Sequence, residues 1–485
     1  MSKNRDLKRI SHHTKIIATL GPASSDIETL EHMIRIGLNV VRFNFSHGDL
    51  AFHESNAEKV REASRRAGRE IAIMADLQGP KIRVGAIKGG SMTLEEGDRL
   101  ILDADFQGEG ENLHVGLDYK ELPNDVKKGD VLLIDDGFIT VVVDEVIQNQ
   151  VVTIVQNSGI LKSKKGINKQ GGGLSAPALT EKDYRDLEIA LKIGADYIAV
   201  SFVKSAADMQ LAKQLIKASP HAGSILPGVV AKIERVEAIE NLDEIVAASD
   251  GVMVARGDLA VEVGNAAVPA LQKRIIKTAR KHNCFSITAT QMMESMISSP
   301  VPTRAEVSDV ANAVMDGTDA VMLSAETAVG KYPFETVRQM ALICAAAEDT
   351  RETFRLKRFD EIPTSRVDQA IAASAVIAAA NVNAKAIVVF TNSGTTALHL
   401  SRYNINLPVH ALTTSIEVQR KMSMYRGVRP ARLDTSKDLN SAIAQAEAYM
   451  LEREHLKSGD LYVITNGSTM GVTGNTNSLH INRAK

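Results

Sequence analysis

The sequence predicts an α/β protein, a (β/α)8 TIM barrel with an inserted β-barrel lid domain and a C-terminal open α/β domain. Three observations predict it: eight short apolar runs that each end in polar residues, helical patterns between most of them, and two stretches of different texture, one inside and one after the series. A parallel sheet covered on both faces stays apolar until its strands emerge, and strands alternating with helices close such a sheet into a barrel.

The runs are KIIATLG (15–21), VVRFNFS (40–46), IAIMADLQG (71–79), YIAVSFV (197–203), VVAKIE (229–234), VMVARGD (252–258), FSITATQM (285–292) and AVMLSAE (320–326). Apolar residues recur with helical spacing at 27–36, 54–67 and 209–218. Polar residues collect where the strands end: Arg42, Asn44, Ser46, Asp76, Ser201, Lys232, Glu234, Asp258, Thr290, Gln291, Ser324 and Glu326. Catalysis in this fold sits at that mouth. Glu234 and Asp258 are hard oxygen donors suited to Mg2+ or Mn2+, and Lys232 is a compact positive charge for an anion. Alone, Lys232 and Glu234 would read as a strand-end ion pair; eight strands ending the same way favour a site.

The barrel is expected over 1–80 and 178–347, interrupted at 81–177 by β-branched runs of period two with turn signals at Glu96-Gly97, Asp136-Gly137 and Asn149-Gln150. Because the insertion leaves a mouth loop, it reads as a lid that can exclude water; a passive decoration is the alternative. Residues 348–485 read as a small open α/β domain. A charged linker (348–365) precedes a helix (367–382) and four strands, AKAIVVFTNSG, PVHALTT, VRPARLDT and DLYVITNGS. Thr391, Ser393, Gly394, Thr395 and Thr396 place hydroxyls and N–H groups at a helix start, a phosphate site or a plain helix cap.

Composition narrows the class. A chain of 485 residues with 44% hydrophobic content supports two or three domains. Two cysteines, Cys284 and Cys344, provide neither a disulfide framework nor a zinc-thiolate site. A net charge of -2 with interspersed signs argues against nucleic-acid binding. No apolar leader and no membrane-length run are found, so a cytoplasmic location is expected. His12 and His13 read as solvated tail residues. Aromatic content of 4% without Trp points to ligands held by charge and backbone.

TLGPAS (19–24), RFNFSHG (42–48), DLQGPKIR (76–83), AKIER (231–235), ARGDL (255–259), TATQMMESM (288–296) and SAETA (324–328) resemble the pyruvate kinases nearly end to end. The resemblance implies phosphoryl transfer from phosphoenolpyruvate to ADP and protonation of the resulting enolate. It implies Mg2+ or Mn2+ on Glu234 and Asp258, with Lys232 and Arg42 on the phosphoryl group and Ser201 beside Lys232. The substrate carboxylate would meet the N–H groups of Gly257 and Asp258. Thr290, through water, and a relay of Ser324 and Glu326 would supply the proton. Asn44, His47, Arg83 and Lys165 would bind the nucleotide.

Many members require K+, held partly by a threonine after the aspartate matching Asp76, with a glutamate after the next Gly-Pro. Leu77 and Lys81 stand at those places here, and Gln78 and Val84 fit the same bacterial variant; activity without K+ is expected, with the Lys81 ammonium acting in its place. The resemblance further implies a homotetramer and a phosphorylated effector at the 391–396 loop. The glycine-rich stretch NGSTMGVTGNTN lacks the tryptophan-arginine pair of fructose bisphosphate binders, which favours a sugar monophosphate or AMP. Rival readings are another Mg2+ enolate barrel, a Schiff-base aldolase on Lys232, and a silent phosphate sensor. A lysine beside two carboxylates stays protonated, which disfavours the aldolase.

Overall fold

The computed structural model describes residues 9–349, 362, 364–434, 438–467 and 474–485. Eight strands close a barrel: β1 Lys15–Thr19, β2 Val40–Asn44, β3 Ala72–Asp76, β4 Tyr197–Val200, β5 Gly228–Ile233, β6 Gly251–Ala255, β7 Phe285–Ala289 and β8 Ala320–Leu323. Neighbours follow chain order and all pair in parallel, with β1 closing on β8. Alternation along each strand sorts two cores. Ile17, Val40, Met74, Val230, Met253 and Ile287 belong to one cluster, while Ile16, Val41, Ile73, Val229, Val252 and Val254 join helix residues in the other. Burying one such side chain contributes about 1.5–3 kcal/mol, so both faces of every strand must be covered.

The helices begin where local chemistry tells them to. Helix Ile27–Ile36 is capped by the Asp26 carboxylate, which accepts from the Thr29 N–H, and it stops at Gly37. Helix Arg304–Asp316 starts with a capping box between Thr303 and Glu306. Among the described residues no helix is long and apolar enough to cross a membrane.

The insertion between β3 and β4 forms a six-stranded sheet in the order Ile167–Lys169, Val131–Ile134, Ile139–Ile147, Gln150–Val155, Arg99–Asp103, His114–Gly116. Strands Ser91–Leu94 and Gly159–Lys162 make a separate pair, and the module has its own core around Leu100, Val115, Leu132 and Val141. Asp136-Gly137 does turn a hairpin. The next hairpin turns one residue earlier than expected, on Gln148 and Asn149, since Gln150 already pairs with Ile147. Glu96-Gly97 does not turn a hairpin: the strands on either side pair with different partners, so period-two texture marked strands correctly but not who pairs with whom.

The C-terminal sheet has β9 Ala386–Phe390, β10 Val409–Thr413, β11 Val428–Arg432, β12 Leu461–Gly467 and β13 Thr476–Arg483 in the order β11-β10-β9-β12-β13. Four of these are predicted from the sequence; β13, antiparallel at the edge, has a largely solvated pattern with little apolar signal. Most of the expected linker and residues 468–473 of the glycine-rich stretch lie outside the described residues. His12 and His13 are not solvated tail residues. His12 is buried and shares a 2.6 Å hydrogen bond with the Thr14 carbonyl oxygen, and the His13 N–H donates to Glu348 at 2.7 Å, because this segment threads between barrel and C-terminal unit.

Candidate active site at the barrel mouth

Each barrel strand delivers its last residues to one rim, and there the charges meet. Lys232, near the end of β5, lies 2.9 Å from Glu234 Oε1 and 3.3 Å from Asp76 Oδ1, and its ammonium donates to the Ser201 hydroxyl at 2.6 Å. Ser201 in turn donates to the Leu77 carbonyl oxygen at 2.7 Å. Arg42 on β2 donates to Asp76 Oδ2 at 2.6 Å and to the Thr19 hydroxyl at 3.1 Å. Asp76 is thus shared by both cations. In the sequence Asp76 stands as one mouth residue among many, and the signal for its larger part is an aspartate that closes an otherwise apolar strand.

Burial and charge oppose each other here. Burial drives the Lys232 ammonium toward neutrality, but Asp76 and Glu234 outweigh it and raise its pKa above the ordinary lysine range. Burial raises the Asp76 carboxyl, yet Lys232 and Arg42 bring it below the usual value. Glu234 ends up raised: burial pushes it up, Lys232 compensates in part, and Asp258 adds repulsion. Its second oxygen accepts the Phe202 N–H at 2.7 Å.

The β6 run ends in a helix, Arg256–Val263, so Gly257 and Asp258 open a helical turn. Arg256 faces away, donating to Asp309 at 2.8 Å and to the Thr290 carbonyl oxygen at 2.7 Å; it braces the loop after β7. Thr290 has φ 65°, a strained setting for a β-branched residue, and its hydroxyl donates to Ala289 O at 2.6 Å while accepting the Gly257 N–H at 2.9 Å. Glu326 is buried and accepts the N–H groups of Ser324 (2.7 Å) and Met293 (3.1 Å), tying the loops after β7 and β8 together.

The β module lies over this rim. A cleft of about 480 Å³ between them is lined by Lys81, Asp136, Gly137, Gln170, Asp258 and Thr290, among others. Lys81 reaches across to Asp258 Oδ1 at 3.3 Å. Lys165 is tied to Asp135 at 2.7 Å within the module, and Arg83 donates to the Lys164 carbonyl oxygen at 3.0 Å. On the barrel side Asn44 accepts the Ser46 N–H at 3.2 Å, and His47 is exposed. In the C-terminal unit Thr391 accepts the Gly394 N–H at 2.9 Å, Ser393 and Thr395 share a 2.9 Å hydroxyl contact, and Thr396 is bonded to Thr476 at 2.8 Å. Gly394 sits at φ 84°, where a side chain would be strained.

Among the described residues no group of three or more His, Cys, Asp or Glu could hold a metal ion. Glu234 and Asp258 remain as a pair of carboxylates that repel one another, which a divalent cation would relieve while leaving positions for substrate oxygens and water. The donor set therefore fits a hard divalent cation, with oxygen ligands only.

Fold and mouth together define a class: a (β/α)8-barrel enzyme covered by an inserted β module and extended by a C-terminal α/β unit. The family model described as pyruvate kinase, barrel domain, matches residues 11–337, and the pyruvate kinase alpha/beta domain matches 369–482. Pyruvate kinase II of Salmonella typhimurium is 47% identical over 480 residues, 98% of this chain and 99% of the relative. A pyruvate kinase of Haemophilus influenzae is 46% identical, covering 95% and 97%. A crystal structure of a pyruvate kinase from Cryptosporidium parvum superposes with a TM-score of 0.93 at 37% identity, covering 98% of this chain and 96% of that one. This chain belongs to the pyruvate kinase family. Its reaction is phosphoryl transfer from phosphoenolpyruvate to ADP, giving pyruvate and ATP, with a divalent metal ion.

Proposed function

We propose that the mouth carries out this transfer with Mg2+ on Glu234 and Asp258 and without K+. The observation that carries the second part is the Lys81 ammonium 3.3 Å from Asp258, on the chain segment that bears Leu77 in place of an oxygen ligand. Magnesium, when bound, neutralises charge on the substrate's carboxylate and phosphoryl oxygens. Lys232 sits on the bridging oxygen and phosphoryl group, where negative charge grows as the O–P bond breaks; Arg42 holds the phosphoryl oxygens with its planar fork, and Ser201 fixes the Lys232 ammonium. The Asp258 N–H, and the Gly257 N–H on leaving the Thr290 hydroxyl to which it donates at 2.9 Å, receive the substrate carboxylate at the start of a helix. Asn44, His47, Arg83 and Lys165 hold ADP as the lid (81–177) closes on the barrel (1–80 and 178–347). The phosphoryl group passes to the terminal ADP oxygen and leaves an enolate.

The enolate takes its proton from a water positioned by Thr290, since that hydroxyl is too weak an acid and its own hydrogen is given to Ala289. Ser324 and Glu326 stand behind it; the buried carboxylate keeps the two loops in register. The C-terminal unit (348–485) binds a phosphorylated effector, a sugar monophosphate or AMP, at Thr391, Ser393, Gly394, Thr395 and Thr396. We place the enzyme in the cytoplasm as a homotetramer.

An assay of pyruvate formation with Mg2+ in buffer free of alkali and ammonium ions tests the proposal. Near-full activity is expected, and Lys81→Gln should become slow and recover partly with added K+. Near-total loss in the unsubstituted enzyme, restored by K+, would sink it.

A further inference from the structure

The chain leaves the barrel for the lid through 77–81 and returns through 170–176, and the two connections meet beside one buried ring, Phe202. On the outgoing side a Cβ on Gly79 would stand 3.0 Å from that ring. On the return side the Arg235 guanidinium lies 5.4 Å over the ring centroid and donates to the Leu174 carbonyl oxygen at 3.2 Å.

The return connection is held largely by residues 234–237, which run on from β5. Glu234 accepts the Phe202 N–H at 2.7 Å, Arg235 donates to Leu174, the Val236 N–H donates to the Glu262 carboxylate at 2.9 Å, and Glu237 accepts the Gly173 N–H at 2.6 Å. The Glu262 carbonyl oxygen in turn accepts the Gly171 N–H at 3.3 Å. Gly172 has φ 77°, and a Cβ there would stand 2.8 Å from Glu237 Oε1, so the connection lies this close to the carboxylate only as glycine. Arg235 is 3% exposed and its Nε has no hydrogen-bond partner; the second Glu237 oxygen is likewise buried and unpartnered. Buried polar atoms left unpaired are costly, which points to a task other than stability for both side chains.

We propose that Arg235 and Glu237 are positioning residues for the nucleotide: by tying the lid's return connection to the segment beside the metal ligand Glu234, they set where the lid carries Arg83 and Lys165 over the mouth. This placement rests on the reading that Arg83 and Lys165 hold ADP. Those two residues belong to one piece of the lid, where Arg83 pairs with Gly166. Lys232 and Arg42, which face phosphoenolpyruvate, stand on barrel strands β5 and β2 and do not depend on the connection. One four-residue run thus serves the metal with its first residue and the lid with its second and fourth.

Initial rates of pyruvate formation with Mg2+ are measured over both substrates for the unsubstituted enzyme and for Arg235→Met, Arg235→Lys, Glu237→Ala and Lys165→Gln. In Arg235→Met and Glu237→Ala the KM for ADP is expected to rise about fivefold or more while the KM for phosphoenolpyruvate stays within about twofold. Arg235→Lys keeps a donor for the Leu174 carbonyl oxygen and should recover much of the loss. A purely structural role would lower Tm without splitting the two constants. Circular dichroism checks folding; if Arg235→Met does not fold, Glu237→Ala, half-buried in the short helix Val236–Glu240, carries the same expectation. An unchanged KM for ADP, a parallel rise in both constants, or Arg235→Lys no better than Arg235→Met would each overturn the proposal, and a raised KM for ADP in Lys165→Gln would show that the nucleotide reading survives that failure. An unchanged KM for ADP in Lys165→Gln would overturn the nucleotide reading and the proposal with it.

Discussion

Lys232 is held by more negative charge than one ammonium requires, with carboxylates at 2.9 and 3.3 Å and the Ser201 hydroxyl at 2.6 Å. Such a residue is preorganised, since the substrate meets a cation whose position and protonation are already fixed. Lys232→Met should therefore lower kcat by roughly 10²–10³ or more, the scale of losing one preorganised charge stabiliser, and a KM effect without a kcat effect would contradict the role. His12 carries a second residue-scale prediction. Burial lowers its pKa to about 4, against a partial lift from Glu348, so the folded state holds it neutral. Between the unfolded value of about 6.5 and the folded value of about 4, the unfolded chain binds the extra proton. Stability is thus complete above pH 6.5 and falls as pH drops through that window, by on the order of 1–3 kcal/mol. Urea unfolding between pH 7 and 4 should show a steeper decline for the native chain than for His12→Gln; parallel slopes would remove His12 as the source.

At the scale of elements, the loop after β3 shows how little of the site is decided by side-chain chemistry alone. Gly79 has φ 67°, its N–H donates to Asp183 at 3.0 Å, and a Cβ there would stand 2.7 Å from the Ser201 Cβ. Gly79→Ala should cost about 1–3 kcal/mol through strain and overpacking and should displace the hydroxyl that fixes Lys232. Activity should fall more than the small change in Tm explains, and an unaltered kcat/KM would count against the coupling. The eight barrel strands were legible because an apolar run ending in charge has a period and an end that one sequence displays. That Lys232, Glu234 and Arg42 gather at the mouth was legible for the same reason. Pair-level facts were not: Asp76 serving two cations, Arg256 facing Asp309, and the Glu96-Gly97 turn joining strands of different sheets depend on residues far apart in the chain. The edge strand β13 escaped because half-solvated edges carry few apolar residues.

Across the whole molecule, the barrel and the C-terminal unit share a core, since Phe285 and Tyr197 inside the barrel belong to one cluster with Met422 and Tyr425. The Tyr197 hydroxyl donates to the Lys421 carbonyl oxygen at 2.6 Å. Into the same junction Arg402, 3% exposed, brings a two-pronged pair with Asp319 and a bond to the Cys284 carbonyl oxygen. Asp319 precedes β8 and also accepts the Ser286 N–H at 2.9 Å on β7, so the helix that begins at the 391–396 loop is bolted to the two strands whose far ends carry Thr290 and Ser324. Breaking one side of a buried pair strands the other charge and costs about 3–5 kcal/mol, whereas neutralising both removes most of that penalty. Arg402→Met should lower Tm by several degrees and split calorimetric unfolding into a C-terminal and a barrel transition. Arg402→Met/Asp319→Asn should regain a large part of the loss, because the amide oxygen can still accept the Ser286 N–H. A single, unshifted transition in Arg402→Met would show that the shared apolar core alone holds the two units together.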